Sequence, residues 1–299
     1  MATVTTTAPE AAPPRTASNA PARRRFAPGR LLGATAIWVF VGFCLFAFAF
    51  MLLSSLKTSR NVLDHPWSLP TSPHWSNWSK AWHDGGFGPA FVNSVVLVLC
   101  AAGTTVLLSA PAAYVLGRQR NRVTNAVSVY FVVGLGIPMQ IMVLPLYAVM
   151  ARLHLIDNLF GLYLLYVVVS LPFTAFLLTS FFGSLPGELE EAAALDGVSA
   201  SMTFWRIMLP LAKGGLATAF LLTAIGCWNE TLLALMFIQT NGNYTLPLAL
   251  VNFLQQQQFS GADFGALFAG VSMAVLPMLA LYIWLGRRLT EGLTLGVGK

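Results

Sequence analysis

Four of the chain's eleven carboxylates, Glu188, Glu190, Glu191 and Asp196, fall within nine consecutive residues. They lie in the stretch ELEEAAALDGVSASMTFWRIMLP, between the apolar runs 159–182 and 214–238. Carboxylates crowded this way offer acceptors to a basic partner. They do not suggest covalent chemistry, because no nucleophile–base pair and no metal-ligand spacing accompanies them. One further acid stands out. Glu230, in Trp228-Asn229-Glu230, sits inside an apolar run. An ionisable group there reads as a path-lining residue. It also reads as a glutamate near the outer helix end, or one bound to a partner helix. Cys44, Cys100 and Cys227 all fall in apolar runs and suit packing. His65, His74 and His83 share one loop without a metal-site spacing.

The acidic stretch has a readable local structure. Pro186 suits the first turn of a helix. Three glutamates follow where the positive end of the helix dipole favours them. Ala192, Ala193 and Ala194 form helix strongly and let another surface approach. Asp196-Gly197 signals a turn, and Ser199 caps a second short helix. Met202, Trp205 and Leu209 form an apolar stripe on that helix. The prediction is helix, turn, helix, lying along a membrane surface. Such a loop either docks a partner or merely links two spans. Glu190 lies about 100° round the first helix from Glu191, so the two face differently.

The elements on either side belong in a membrane. Of 299 residues, 56% are hydrophobic and only 9% charged, with several apolar runs of about twenty or more. Spans are predicted at 31–55, 91–117, 126–150, 158–182, 213–238 and 264–286, with the acidic loop over 183–212. Sheet is excluded by the need to satisfy backbone groups within each element. Gly134, Gly136, Pro138 and Pro145 interrupt the third span, and Pro172 the fourth. Residues 1–30 are rich in Thr, Ala and Pro and read as a disordered tail. The apolar run after Arg30 is long enough to be an uncleaved span rather than a signal peptide.

Charge sets orientation. With the N-terminus inside, thirteen Lys and Arg fall on the inner side and four on the outer: Lys57, Arg60, Lys80 and Arg152. That asymmetry places both termini and the acidic loop in the cytoplasm. The net charge of +6 is explained by orientation, so nucleic acid is not a predicted partner. In the first outer loop Trp75, Trp78 and Trp82 stand at helical spacing. They read as an interfacial aromatic belt or as a sugar-stacking face. Gln255–Gln258 reads as a solvated turn in the last outer loop, and Asn93-Ser94 as the cap of the second span.

The spacing Glu191-Ala192-Ala193, three residues, Gly197, nine residues, Ile207-x-Leu209-Pro210 resembles the EAA loop of ABC importer permeases. Asn93-Ser94, Pro138 with Pro145, Asp157 with Gly161, Leu171-Pro172-Phe173, Trp228-Asn229-Glu230, Thr245-Leu246-Pro247 and Gly292-Leu293-Thr294 extend the resemblance over residues 50–299. They look like the second permease of carbohydrate importers of the maltose type. Two departures are Gly214-Gly215, where a proline is usual, and the ending Gly296-Val297-Gly298-Lys299.

The resemblance implies an all-α integral membrane protein of six transmembrane helices, with a cytoplasmic helix-turn-helix coupling loop between the fourth and fifth. It implies that Glu190, Glu191, Ala192, Ala193, Asp196, Gly197, Ile207, Leu209 and Pro210 couple to a separate ATPase. Trp228, Asn229 and Glu230 are candidates for the translocation path. The implied partners are a dimer of cytoplasmic ATPase subunits, a sister permease, an extracytoplasmic solute-binding protein and membrane lipid. The chain is expected to be non-enzymatic and to bind no cofactor or metal, ATP and Mg being used by the partner. No G-x-x-x-x-G-K-[S/T] loop occurs in it. A secondary transporter or channel for a small polar solute is the alternative, and a membrane enzyme a weaker third. Against the alternative, no repeat of matched broken spans is visible.

Overall fold

A computed structural model describes residues 28–297. The tail read over 1–30 therefore lies outside the described residues as far as residue 27. Residues 298 and 299 at the C-terminus also lie outside them. The chain divides into two units, residues 1–47 and 48–299. In the first unit the described residues form the start of helix α1, Pro28–Ser55.

The second unit is helical throughout its described elements. Four helices of the chain are long and apolar enough to cross a membrane: Gly33–Ser55 within α1, α4 (Phe87–Arg118), α7 (Leu159–Ser184), and Phe264–Ile283 within α14 (Phe264–Val297). Two bent pairs complete the set and raise the number to at most six. In the first, α5 (Arg122–Leu135) and α6 (Met139–Arg152) meet at 102°. The span predicted as one helix over 126–150 is therefore broken at Gly136-Ile137-Pro138. Pro138 has no N–H to continue the ladder and its ring disfavours a helical residue before it. Pro145 and Pro172, by contrast, lie inside continuous helices.

In the second bent pair, the segment Ala200–Leu211 meets Lys213–Asn229 at 73°, and the span predicted over 213–238 is itself interrupted further on. Helix α11 (Lys213–Asn229) stops at Glu230, whose backbone is extended, and α12 (Leu232–Phe237) restarts after Thr231. Beyond α12 comes a 3₁₀ turn, Asn241–Asn243, then α13 (Leu246–Ser260). Gln255–Gln258 thus belongs to a helix and not to a turn. Short helices α2 (Ser59–Asp64) and α3 (Ser76–His83) occupy the segment between α1 and α4, predicted as the first outer loop.

Close crossings hold α4 to α7. A Cβ on Gly117 would lie 2.7 Å from the Thr179 carbonyl. In the departure at Gly214-Gly215, Gly215 has a similar cause, since a Cβ there would stand 2.4 Å from the Phe181 ring, whereas one on Gly214 would meet nothing within 4 Å. Two apolar cores result. One packs Leu97, Ala101, Leu162, Trp228 and Phe237 among their neighbours. The other gathers Ala110, Ala113, Leu178, Phe182, Phe204, Met208 and Ala219 where α4, α7 and α11 meet the acidic loop.

Candidate functional site: the acidic loop and the helix break

The loop after α7 forms α8 (Glu188–Leu195), a turn, and α9 (Ala200–Thr203). Asp196 ends α8, and Gly197 takes the left-handed conformation, φ +73°. Only glycine enters that region without strain. Ser199 caps α9 by accepting the Met202 N–H at 3.4 Å. Gly187, not Pro186, occupies the N-cap position of α8.

Helix α8 has two distinct sides. Ala193 is buried, and Leu189 packs on the lower core. Glu188, Glu191, Ala192 and Leu195 face outward, at i, i+3, i+4 and i+7. Leu195 is 89% exposed, unusual for a leucine on a short polar loop. Glu191 is exposed on this outer face, beside the small Ala192.

Glu190 turns the other way. Its carboxylate accepts Arg118 Nε at 2.7 Å and the Tyr114 hydroxyl at 2.6 Å. Arg118 Nη2 closes to 2.6 Å of the same carboxylate. Burial alone would raise its pKa, but the hydrogen bonds from Arg118 and Tyr114 and the Arg118 charge hold it below the usual carboxylate range. Glu190 was predicted as one more residue of the coupling set, yet it faces its own membrane helix. In the sequence Arg118 is one of the thirteen inner-side charges, and nothing local marks Tyr114 as its companion. Their spacing of four residues at the end of α4 places both on one helix face.

The second half of the loop departs from the predicted stripe. A turn of π-helix spans Phe204–Met208 before α10 (Leu209–Leu211). The extra residue in that turn shifts the helix face. Phe204 and Met208 become the buried pair, while Met202 and Trp205 point outward, 42% and 53% exposed. Ile207 and Leu209 pack at the margin of the lower core, and Pro210 is exposed.

Trp228, Asn229 and Glu230 part company at the helix break. Trp228 is buried, stacks edge-on against Phe91 with centroids 6.2 Å apart, and donates Nε1–H to the Ala274 carbonyl at 3.2 Å. Asn229 lines a cavity of about 300 Å³ with Trp228, Thr231, Pro247 and Ala274. Glu230 opens on a separate cavity of about 320 Å³ with Tyr166, Ser170, Thr223 and Cys227. Its carboxylate also accepts the N–H groups of Leu233 and Ala234, at the first turn of α12.

The segment that follows α12 is clasped from two sides. Asp157, itself at φ +53°, accepts the Gln239 and Thr240 N–H groups at 2.9 Å each, and the Thr240 hydroxyl. The Thr240 hydroxyl, then the Thr240 and Gln239 N–H groups, pull the Asp157 pKa down to about 2. Asn93 donates to the Gly242 and Tyr244 carbonyls, and the Ser94 hydroxyl accepts the Leu246 N–H at 2.7 Å. Asn93 and Ser94 therefore do not cap α4, which begins earlier at Phe87. They hold the loop that follows α12. Of the outer tryptophans, Trp78 donates to the Ser55 hydroxyl, while Trp75 and Trp82 remain exposed.

Residues 109–293 match the family described as the binding-protein-dependent transport system inner membrane component. The chain is 35% identical to the probable ABC transporter permease protein YurM of Bacillus subtilis, over 90% of this chain and 89% of that one. It is 34% identical to the diacetylchitobiose uptake system permease protein NgcG of Streptomyces coelicolor, over 82% of this chain and 81% of that one. In fold it resembles a solved bacterial ABC transporter involved in the import of the acidic polysaccharide alginate. There the TM-score is 0.73 at 22% identity, covering 86% of this chain and 95% of that one.

The apolar helices and the family match together define a multi-pass membrane permease. The chain belongs to the binding-protein-dependent family of ABC importer permeases, a transport component that works with an ATPase and a solute-binding protein. Membership replaces both the secondary-transporter and the enzyme readings.

Proposed function

We propose that this chain is one of two permease subunits of a carbohydrate importer, carrying a sugar or oligosaccharide inward by alternating access. The observation that carries the reading is the outward face of α8. Glu191, Ala192 and Leu195 form an unpartnered acidic and apolar strip, ended by the Gly197 turn. This strip docks on a cytoplasmic ATPase dimer, which uses ATP and Mg. The Lys and Arg asymmetry supports six spans with both termini and α8 in the cytoplasm. In that count the bent pair α5 and α6 is one span, and the fifth span begins at Lys213, beyond the 73° bend that follows Leu211.

A sister permease completes the pathway, and a binding protein delivers the solute at the outer face. The uptake function printed for the diacetylchitobiose relative supports a carbohydrate solute. Asn229 and Glu230 border cavities on either side of the helix break and are proposed to line the path. Trp228 positions the break from behind. ATP closes the ATPase dimer, the α8 loops are drawn together, and the pathway opens outward. Hydrolysis resets it.

The test is uptake into proteoliposomes holding this chain, its sister permease and its ATPase, with the binding protein outside and ATP inside. Labelled chitobiose, trehalose and maltose serve as probes. ATP-dependent accumulation of a sugar is the expected result. Accumulation without ATPase, driven by an ion gradient, would contradict it.

A further inference from the structure

We propose that Arg118 and Tyr114 are positioning residues that fix the coupling helix α8 to α4, making α4 a strut between the cytoplasmic dock and the outer loop. The inference rests on the reading of α8 as the dock. Arg118 spends every nitrogen on the start of that element. Nε and Nη2 engage the Glu190 carboxylate, Nη1 donates to the Leu185 carbonyl at 2.8 Å, and Nη2 reaches the Pro186 carbonyl at 3.3 Å. The guanidinium thus grips both the first turn of α8 and the link that joins it to α7. A planar fork of five donors is suited to this, where a lysine would satisfy one or two acceptors at a time.

Burial stiffens the grip. The Arg118 side chain is 13% exposed and that of Glu190 27%. Tyr114 adds its hydroxyl to the other carboxylate oxygen, and its ring packs on Phe182 and Phe204, with centroids 5.7 and 5.0 Å away. Among the described residues this is the one ion pair that ties α8 to a membrane helix. The remaining two lie elsewhere, at Arg60–Asp64 and Lys80–Asp263.

The far end of the same helix carries the other half of the strut. Helix α4 runs for 32 residues, about 48 Å, with Pro111 accommodated inside it. Near its start Asn93 and Ser94 hold Gly242, Tyr244 and Leu246. A displacement imposed on α8 is therefore passed along α4 to the outer loop, in addition to the chain connections through α7 and α11.

Cys100, near the middle of α4 and lining a cavity with Asn93, Thr104 and Tyr163, is a native reporter. In the assembled complex with its ATPase in lipid nanodiscs, the maleimide labelling rate of Cys100 is read by mass spectrometry with and without MgATP. The wild type is expected to show an ATP-dependent change in rate of about fivefold or more. Arg118→Ala and Glu190→Ala each abolish it while the ATPase stays bound. The double variant does no more than either single one, because both remove one interaction. Tyr114→Phe gives a smaller loss, and it decides the matter if the Arg118 variant fails to insert.

A wild-type complex with no change at Cys100 would overturn the strut. So would Arg118→Ala or Tyr114→Phe with the wild-type change. If the wild-type chain retains no ATPase at all, the docking reading fails instead, and the ATPase content of the purified complex distinguishes the two failures.

Discussion

The carboxylate of Glu230 accepts the backbone N–H of Leu233, its two oxygens lying 2.9 and 3.0 Å away. The contact explains why a glutamate stands where the fifth span breaks. Restarting a helix at Leu232 leaves its first N–H groups without carbonyls, and lipid supplies no substitute. Glu230 caps them while part of its surface borders a cavity.

This dual position separates two substitutions. Glu230→Gln keeps one acceptor oxygen for the Leu233 N–H and is expected to retain most sugar uptake. Glu230→Ala leaves that N–H uncapped and costs about 1 kcal/mol, seen as a lower melting temperature in detergent and reduced uptake with the ATPase still associated. If Gln is as damaging as Ala, the negative charge itself serves transport and the cap is secondary.

The outer clasp should respond to pH. Asp157 has its pKa lowered from 3.8 to about 2 by the loop it holds. A depressed carboxylate pKa contributes stability above the free value, and that stability is lost as pH falls through the bound one. Hydrogen exchange at Gln239 and Thr240 should therefore be protected at pH 5 and above. Protection should fall between about pH 4 and pH 2. Asp157→Ala should remove it at every pH, and equal protection in that variant would show the clasp to be incidental.

Gly161 should tolerate no side chain. A Cβ there would fall 2.2 Å from the Leu155 carbonyl and 3.1 Å from the Met150 methyl. Since the nearest atom is backbone, relief requires moving the α6–α7 connection. Gly161→Ala is expected to lower stability by about 1–3 kcal/mol, measured by thermal unfolding in detergent. A wild-type melting curve would contradict the close approach.

Much of this was legible in the sequence, and the misses share a physical cause. The α8–turn–α9 arrangement followed from local signals: glutamates at a helix start, Gly197 in a left-handed turn, Ser199 as a cap. Periodicity failed at Phe204–Met208, because a π-turn inserts a residue that no composition rule announces. The interruption between α5 and α6 was visible in Gly136 and Pro138, but its 102° angle was not. The break at Glu230 was invisible, since no glycine or proline marks it. The Arg118–Glu190 pair spans 72 residues, and long-range partners leave no mark in local spacing. Asp157 stood out only through resemblance and Asn93 as a helix cap, whereas their clasp on the loop after α12 is visible only in the fold.

The account depends most on the outward face of α8. Glu191 is exposed, and in the proposed docking its carboxylate meets a basic side chain on the ATPase. If that pair is desolvated on docking, losing one partner costs on the order of 3 kcal/mol. A valine at Gly197 strains the turn that ends the same helix. The decisive measurement is a pull-down of the ATPase on membranes containing wild type, Glu191→Ala or Gly197→Val, with ATP-dependent sugar uptake measured alongside. The account predicts that both variants insert normally, yet release the ATPase or hydrolyse ATP without transport. Wild-type retention and wild-type uptake in both would show the loop to be only a linker.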